Sequence, residues 1–195
     1  MRIRVPQWRP LALALVLPVV APGCGGPAEA PSASPPSRPD SLAVFLHAWI
    51  DQGRETYERF DYLEDTTRYL AAPFASPDGG HRGFVVHLVG RAFCADDAAG
   101  CTTLVVAREA GAYQVVGRFT NTHLPVSVFP DTSHGWPDVG VWLSGGGPRE
   151  PQRVRLRFDG RQYPEDLWTA PSARTAGREI LTDSTPWRWL YTPAP

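Results

Sequence analysis

The stretch CTTLVVAREAGAYQVVGRFT, Cys101 to Thr120, decides how this chain is read. Its apolar and β-branched residues recur with a period of two on either side of Ala110-Gly111, which is the pattern of two antiparallel strands joined by a tight turn. The same period continues outward. FVVHLVGRAFC precedes it, and LPVSVFP, VGVWLSG, QRVRLRF and RQYP follow, separated by Gly, Pro, Asp and Asn. The last two flank Asp159-Gly160, a second hairpin signal.

Upstream of the loop SPDGGHRG (76–83) the period differs. DSLAVFLHAWIDQGRETYERF places Leu42, Phe45, Leu46, Trp49 and Ile50 on one helical stripe, with Asp40 or Ser41 as N-cap and His47, Asp51, Arg54 and Glu58 opposite. One helix followed by a run of strands predicts an α+β fold. The expected architecture is one N-terminal amphipathic helix packed on a mainly antiparallel meander β-sheet of about seven strands. From Glu165 onward the pattern weakens. PSARTAGREILTDS fits a helical turn or a last strand, and WRWLY is expected to dock as an extended edge with Trp187 and Trp189 on one side.

The chain of 195 residues opens with a different composition. Residues 1–23 carry Arg2, Arg4 and Arg9 and then the apolar run Leu11 to Val20, too short for a bilayer span of about 20 residues and typical of a secretory signal. The run ends VAPGC. Cys24 is followed by GGPAEAPSASPPSRPD, in which almost nothing is large enough to bury. This resembles a bacterial lipoprotein signal, with Ala21 standing where a large aliphatic residue is usual. The resemblance implies lipidation of Cys24 and, from Gly25, sorting to the outer membrane; plain secretion is the alternative. Residues 24–40 then form a flexible tether and residues 41–195 a single globular domain.

Removal of the leader arginines leaves 16 basic against 20 acidic residues, a net charge of −4 that argues against nucleic-acid binding. With Cys24 assigned to the lipid, Cys94 and Cys101 are expected to form a disulfide closing one hairpin, a contribution of about 2.5 kcal/mol in the chain-entropy model. A redox pair would call for the closer C-x-x-C spacing.

Between the strands lies DTSHGWPDVGVWLSGGG, Asp131 to Gly147. Residues 131–139 faintly resemble the calcium loop of FG-GAP repeats. Gly135, Asp138 and Val139 fall on that motif's glycine, last acid and aliphatic position, but Pro130, Thr132 and His134 stand where its other acids belong. Calcium wants about six to eight oxygens, so the turn is kept and the metal is not expected. His134 between Asp131 and Asp138 is a candidate general base, while His47, His81, His87 and His123 show no ligand spacing. In QRVRLRF, alternation sends Val154, Leu156 and Phe158 inward and lines Arg153, Arg155 and Arg157 along the outer face, either as an anion-binding stripe or as a solubilising face paired with nearby acids. Trp136 and Trp142 are candidates for stacking on a sugar or a protein partner, with burial in the core as the alternative.

The helix, the Cys-to-Cys hairpin, GRFTNTHLPVSVFPDTSHGWPDVGVWLSGGG and RFDGRQYP together resemble a group of small exported proteobacterial (lipo)proteins, a resemblance that carries no catalytic residue. No nucleophile elbow, zinc-protease helix, P-loop or dinucleotide fingerprint occurs in the sequence. The expectation is a periplasm-facing envelope lipoprotein, anchored by its N-terminal lipid, without a cofactor. It would bind a protein or glycan non-enzymatically through Arg153, Arg155, Arg157, Trp136 and His134. One alternative is a lysozyme-inhibitor-like protein, although the SGxxY-type motif of that class is missing. The other is a cell-wall hydrolase using His134 with Asp131 or Asp138.

Overall fold

A computed structural model describes residues 41–54, 67–94, 100–144 and 150–191, which all fall in one compact unit. Cys24 and its flanking leader and tether lie outside the described residues.

The fold is α+β and mainly β. One helix, α1 (Ser41–Arg54), precedes eight strands: β1 (Arg68–Ala75), β2 (Arg82–Val89), β3 (Cys101–Glu109), β4 (Ala112–Ser133), β5 (Trp136–Leu143), β6 (Gln152–Leu156), β7 (Arg178–Leu181) and β8 (Arg188–Trp189). They form one antiparallel sheet in the order β6-β5-β4-β3-β2-β1-β8, with β7 paired to β4. The predicted meander therefore holds from β2 to β6, β1 extends it by one strand, and the C-terminal segment adds a strand to each of two separate edges. No helix among the described residues is long and apolar enough to cross a membrane.

Alternation along β1 to β3 feeds two cores, because both faces of these strands are buried. Tyr69, Val86, Leu88, Leu104 and Val106 face α1, whose Leu42, Leu46 and Ile50 are its most buried residues, with Phe45 and Trp49 at the margin. The opposite residues, Leu70, Ala72, Phe74, Val85, Val105 and Ala107, join Val126, Val128, Val139, Val141, Val154, Leu156 and Leu181 in the larger core. The sheet therefore doubles back on itself, with β5, β6 and β7 across from β1 to β3. Each buried aliphatic side chain contributes about 1.5–3 kcal/mol.

The fold-back is carried by β4. The sequence predicts two strands here, broken at NTH (121–123), but the structure has one strand of 22 residues. Its N-terminal half pairs with β3 up to Cys101↔Thr122, and beyond that β5 takes one edge and β7 the other. Extra residues on β4 interrupt both registers, and Asn121 has φ 59°, the left-handed conformation of a bulge. What looks like a break is a bend. Both turns flanking β4 have positive φ at both central residues, Ala110 and Gly111, then His134 and Gly135, the I′ geometry that matches strand twist.

Other expectations need correction. The period-two pattern predicts strands only beyond residue 83, yet Arg68–Ala75 forms β1. GRAFC is not strand: β2 stops at Val89, and Phe93 and Cys94 donate their amides to the Gly90 carbonyl in a turn. RQYP is not strand either. The Asp159-Gly160 turn does form, with Asp159 Oδ1 accepting from the amides of Arg161 and Gln162 at 2.7 and 2.8 Å. Tyr163 then leaves the sheet line to plug the larger core, its hydroxyl donating to the Pro137 carbonyl at 2.6 Å. GREIL is the last-strand alternative, β7, and it fits against β4 because Gly177 sits where a Cβ would be 2.7 Å from the Val128 carbonyl oxygen. Of WRWLY, Arg188 and Trp189 pair with the β1 edge while Leu190 is buried.

Candidate binding site

The outer face of β5 and β6 carries the arginine stripe where alternation puts it. Its charges are matched in place. Arg155 Nε donates to Asp138 Oδ2 at 2.7 Å, and Nη2 reaches Asp138 Oδ2 at 2.6 Å and Asp131 Oδ2 at 2.7 Å. The Asp138 carboxylate, only 1% exposed, also accepts from Ser133 Oγ at 2.7 Å and has Arg157 Nε at 3.6 Å. Arg155 further covers the Phe129 ring at 4.6 Å. This cluster ties β6 to the β4–β5 hairpin, and the guanidinium of Arg155 is a structural counter-charge, not a free anion receptor. Arg157 projects outward, 63% exposed.

Two more candidates move away from a surface role. Trp136 is a core residue, 4% exposed, stacked between His81 at 4.5 Å and Phe158 at 5.1 Å, so its indole is no platform for a sugar. His134 is exposed at the tip of the β4–β5 turn. The carboxylates of Asp131 and Asp138 turn to Arg155, so no His134–carboxylate pair is assembled among the described residues. The hydrolase alternative loses its dyad. The turn needs Gly135, with φ 80°, where even a Cβ would be 3.2 Å from the His81 ring. Among the described residues no group of three or more His, Cys, Asp or Glu could hold a metal ion.

What the face does offer is a cleft of about 570 Å³ at the point where β4 passes from β3 to β7. Its walls include His123, Leu124 and Pro125 from β4, Trp142 from β5, Arg153 from β6 and Glu179 from β7. Arg153 lies over the Trp142 ring at 5.0 Å and has Nη2 3.7 Å from Glu179 Oε1. Two polar atoms here, His123 Nε2 and Arg153 Nε, are buried without a hydrogen-bond partner, each at a cost of about 1–3 kcal/mol. Trp142 and Arg153 were legible as outward residues of their strands. His123 and Glu179 were not, because only the fold brings a residue of β4 beside one of β7.

A second cavity of about 380 Å³ shares His123 and Leu124 with the cleft and is lined by His87, Thr122, Asp183, Trp187 and the Cys94–Cys101 disulfide. The disulfide is thus formed as the sequence predicts. His87, 4% exposed, contacts Thr103 Oγ1 through Nδ1 at 2.9 Å; Thr103 contacts Thr122 Oγ1 at 2.7 Å, and Thr122 donates to the Cys101 carbonyl at 2.9 Å. Each hydroxyl has one proton, so the chain has one consistent direction. Thr122 gives to Cys101, Thr103 to Thr122, and His87 Nδ1–H to Thr103, so in its neutral form His87 carries its proton on Nδ1. Burial pushes its pKa from 6.5 down to about 4, His123 adds in the same direction, and Asp183 opposes.

No family model matches the chain, and neither a curated protein nor a solved structure shows significant similarity to it.

Arg155→Leu strands the buried Asp138 charge and is expected to cost about 3–5 kcal/mol in urea unfolding, against less than about 1 kcal/mol for the exposed Arg157→Ser. Equal small losses would mean that the Asp138 cluster holds nothing together. Between pH 6.5 and about 4 the unfolded chain takes up a proton that folded His87 refuses, so stability falls as pH falls. The loss should approach about 3 kcal/mol over that window and shrink in His87→Gln, which keeps a hydrogen-bonding group but does not titrate. Urea midpoints measured through the window check this, and parallel curves for the two proteins would refute it.

Proposed function

We propose that the protein is a cell-envelope lipoprotein, anchored through Cys24 and facing the periplasm, whose folded part binds a protein or glycan partner without catalysing a reaction. The observation that carries the binding reading is the cleft bounded by Trp142, Arg153, Glu179 and His123. Its volume lies in the range of small-ligand sites, and it pairs an indole with both signs of charge. An indole gives the CH face of a sugar or an apolar side chain a flat surface, while Arg153 and Glu179 can exchange their long 3.7 Å contact for shorter hydrogen bonds to hydroxyl or carboxylate groups. A ligand that draws Arg153 or His123 into the cleft also satisfies a polar atom that is otherwise orphaned. The binding residues are therefore Arg153 and Trp142 in place of Trp136, with Arg155 as scaffold and Arg157 outside the cleft's walls.

Export is supported by the leader and by the disulfide, a bond that persists in oxidising compartments. The acidic balance of the mature chain suits a basic or neutral partner more than an acidic one.

The test uses the full chain as bait for envelope extract beside Trp142→Ala, Arg153→Gln and the control Arg157→Ser, with thermal unfolding to confirm that each is folded. The expected result is a partner whose capture falls about tenfold or more with the first two variants and is kept by the third. Undiminished capture by folded Trp142→Ala and Arg153→Gln would remove the cleft from the account.

A further inference from the structure

At the other end of the sheet, the β1–β2 loop, the end of β3 and the start of β7 surround a cavity of about 510 Å³. Three arginines line it, Arg82 from β2, Arg108 from β3 and Arg178 from β7, beside Phe74 and Phe84. No Asp or Glu is among its lining residues. Of the nearby acids, Asp78 accepts from Ser76 Oγ and, at 3.0 Å, from the Gly80 amide, while Glu109 is exposed, 3.7 Å from His81.

The contrast with the outer stripe is what gives this cavity weight. Arg153, Arg155 and Arg157 each lie within 4 Å of a carboxylate. Arg82, Arg108 and Arg178 form no ion pair among the described residues, and Arg108 has only a Tyr113 ring 5.8 Å away. In a chain with more acids than bases, three arginines without a carboxylate partner among the described residues line one concavity. Arg82 and Arg108 come from the paired strands β2 and β3 and Arg178 from the distant β7, where Arg178 and Glu179, adjacent in sequence, line different cavities.

We propose that this cavity is a phosphate-binding site, independent of the Trp142 cleft, for a ligand that joins a phosphate group to an apolar or ring-shaped part. Guanidinium forks match phosphate oxygens in pairs, and the three positive charges stabilise a group carrying close to two negative ones. Phe74 and Phe84 supply apolar surface beside the anion. Carboxylate-only ligands present one planar pair of oxygens and leave at least one arginine unmatched. The phosphate can belong to a soluble phosphate ester or to a phospholipid headgroup, and the same three residues would hold either.

The test uses the full chain with Cys24→Ser, so that no acyl group contributes, and the same chain with Arg82→Gln, Arg108→Gln and Arg178→Gln together. Calorimetric titration with inorganic pyrophosphate reads the soluble arm. Co-sedimentation with phosphatidylcholine vesicles, with and without phosphatidylglycerol, reads the headgroup arm. Saturable pyrophosphate binding, weakened about tenfold or more in the triple variant at an unchanged unfolding temperature, supports the site and assigns it to soluble phosphates. Arginine-dependent sedimentation only with phosphatidylglycerol supports it and assigns it to headgroups. Binding that the triple variant retains, or neither binding at up to about 10 mM pyrophosphate nor sedimentation, overturns the proposal. Single variants, each removing one exposed arginine, keep the result interpretable should the triple variant fold poorly.

Discussion

A β-strand must find a partner for every buried backbone N–H and C=O, and β4 is too long for one neighbour to supply them. β3 accompanies it only to Thr122. Past that residue the strand would present a bare edge inside the protein, and β7 returns from 50 residues further along the chain to cover it at Val126–Val128. The rest of the architecture depends on this handover. The bulges that bend β4 swing β5 and β6 over β1 to β3, so the inner faces of these strands close one core while α1 seals the other. The cleft at His123–Pro125 opens at the same place, where the strand exchanges one partner for another and neither fills the corner.

Much of the fold was legible because local preference and tertiary need agree. The stripe of α1, the hairpin through Ala110-Gly111 and the inward Val154, Leu156 and Phe158 are each set by a periodicity that burial then enforces. The misses have specific causes. RYLAAPFA hides a strand because its three alanines favour helix and Pro73 argues against a strand interior, yet Leu70, Ala72 and Phe74 alternate into the larger core. TNTHLP combines the turn-formers Asn121 and Pro125, and those same residues serve a bulge instead of a break. RQYP has a strand's composition but is claimed by Tyr163, whose ring and hydroxyl are worth more in the core than on a sheet edge.

The candidate sites show a different limit. The sequence puts Arg153, Arg155 and Arg157 on one face, but it does not say which carboxylates stand opposite; Asp131 and Asp138 come from the preceding hairpin and Glu179 from β7. Trp136 opens β5 directly after the His134-Gly135 turn and is buried in the larger core, although it shares strand parity with Asp138. Charge count and alternation thus identify the face and leave its partners to topology. The same is true of Arg82, Arg108 and Arg178, which no stripe in the sequence connects.

The central claim is that β4 is one continuous strand whose two halves are protected together. Native-state hydrogen exchange of the Val115–Phe119 and Val126–Phe129 amides tests it most directly. The account predicts that protected amides in both segments open only with global unfolding and share one opening free energy. Fast exchange at Val126–Phe129 while Val115–Phe119 stays protected would mean that the chain breaks at Asn121, that β7 does not cover the edge, and that the cleft is not a built feature of the fold.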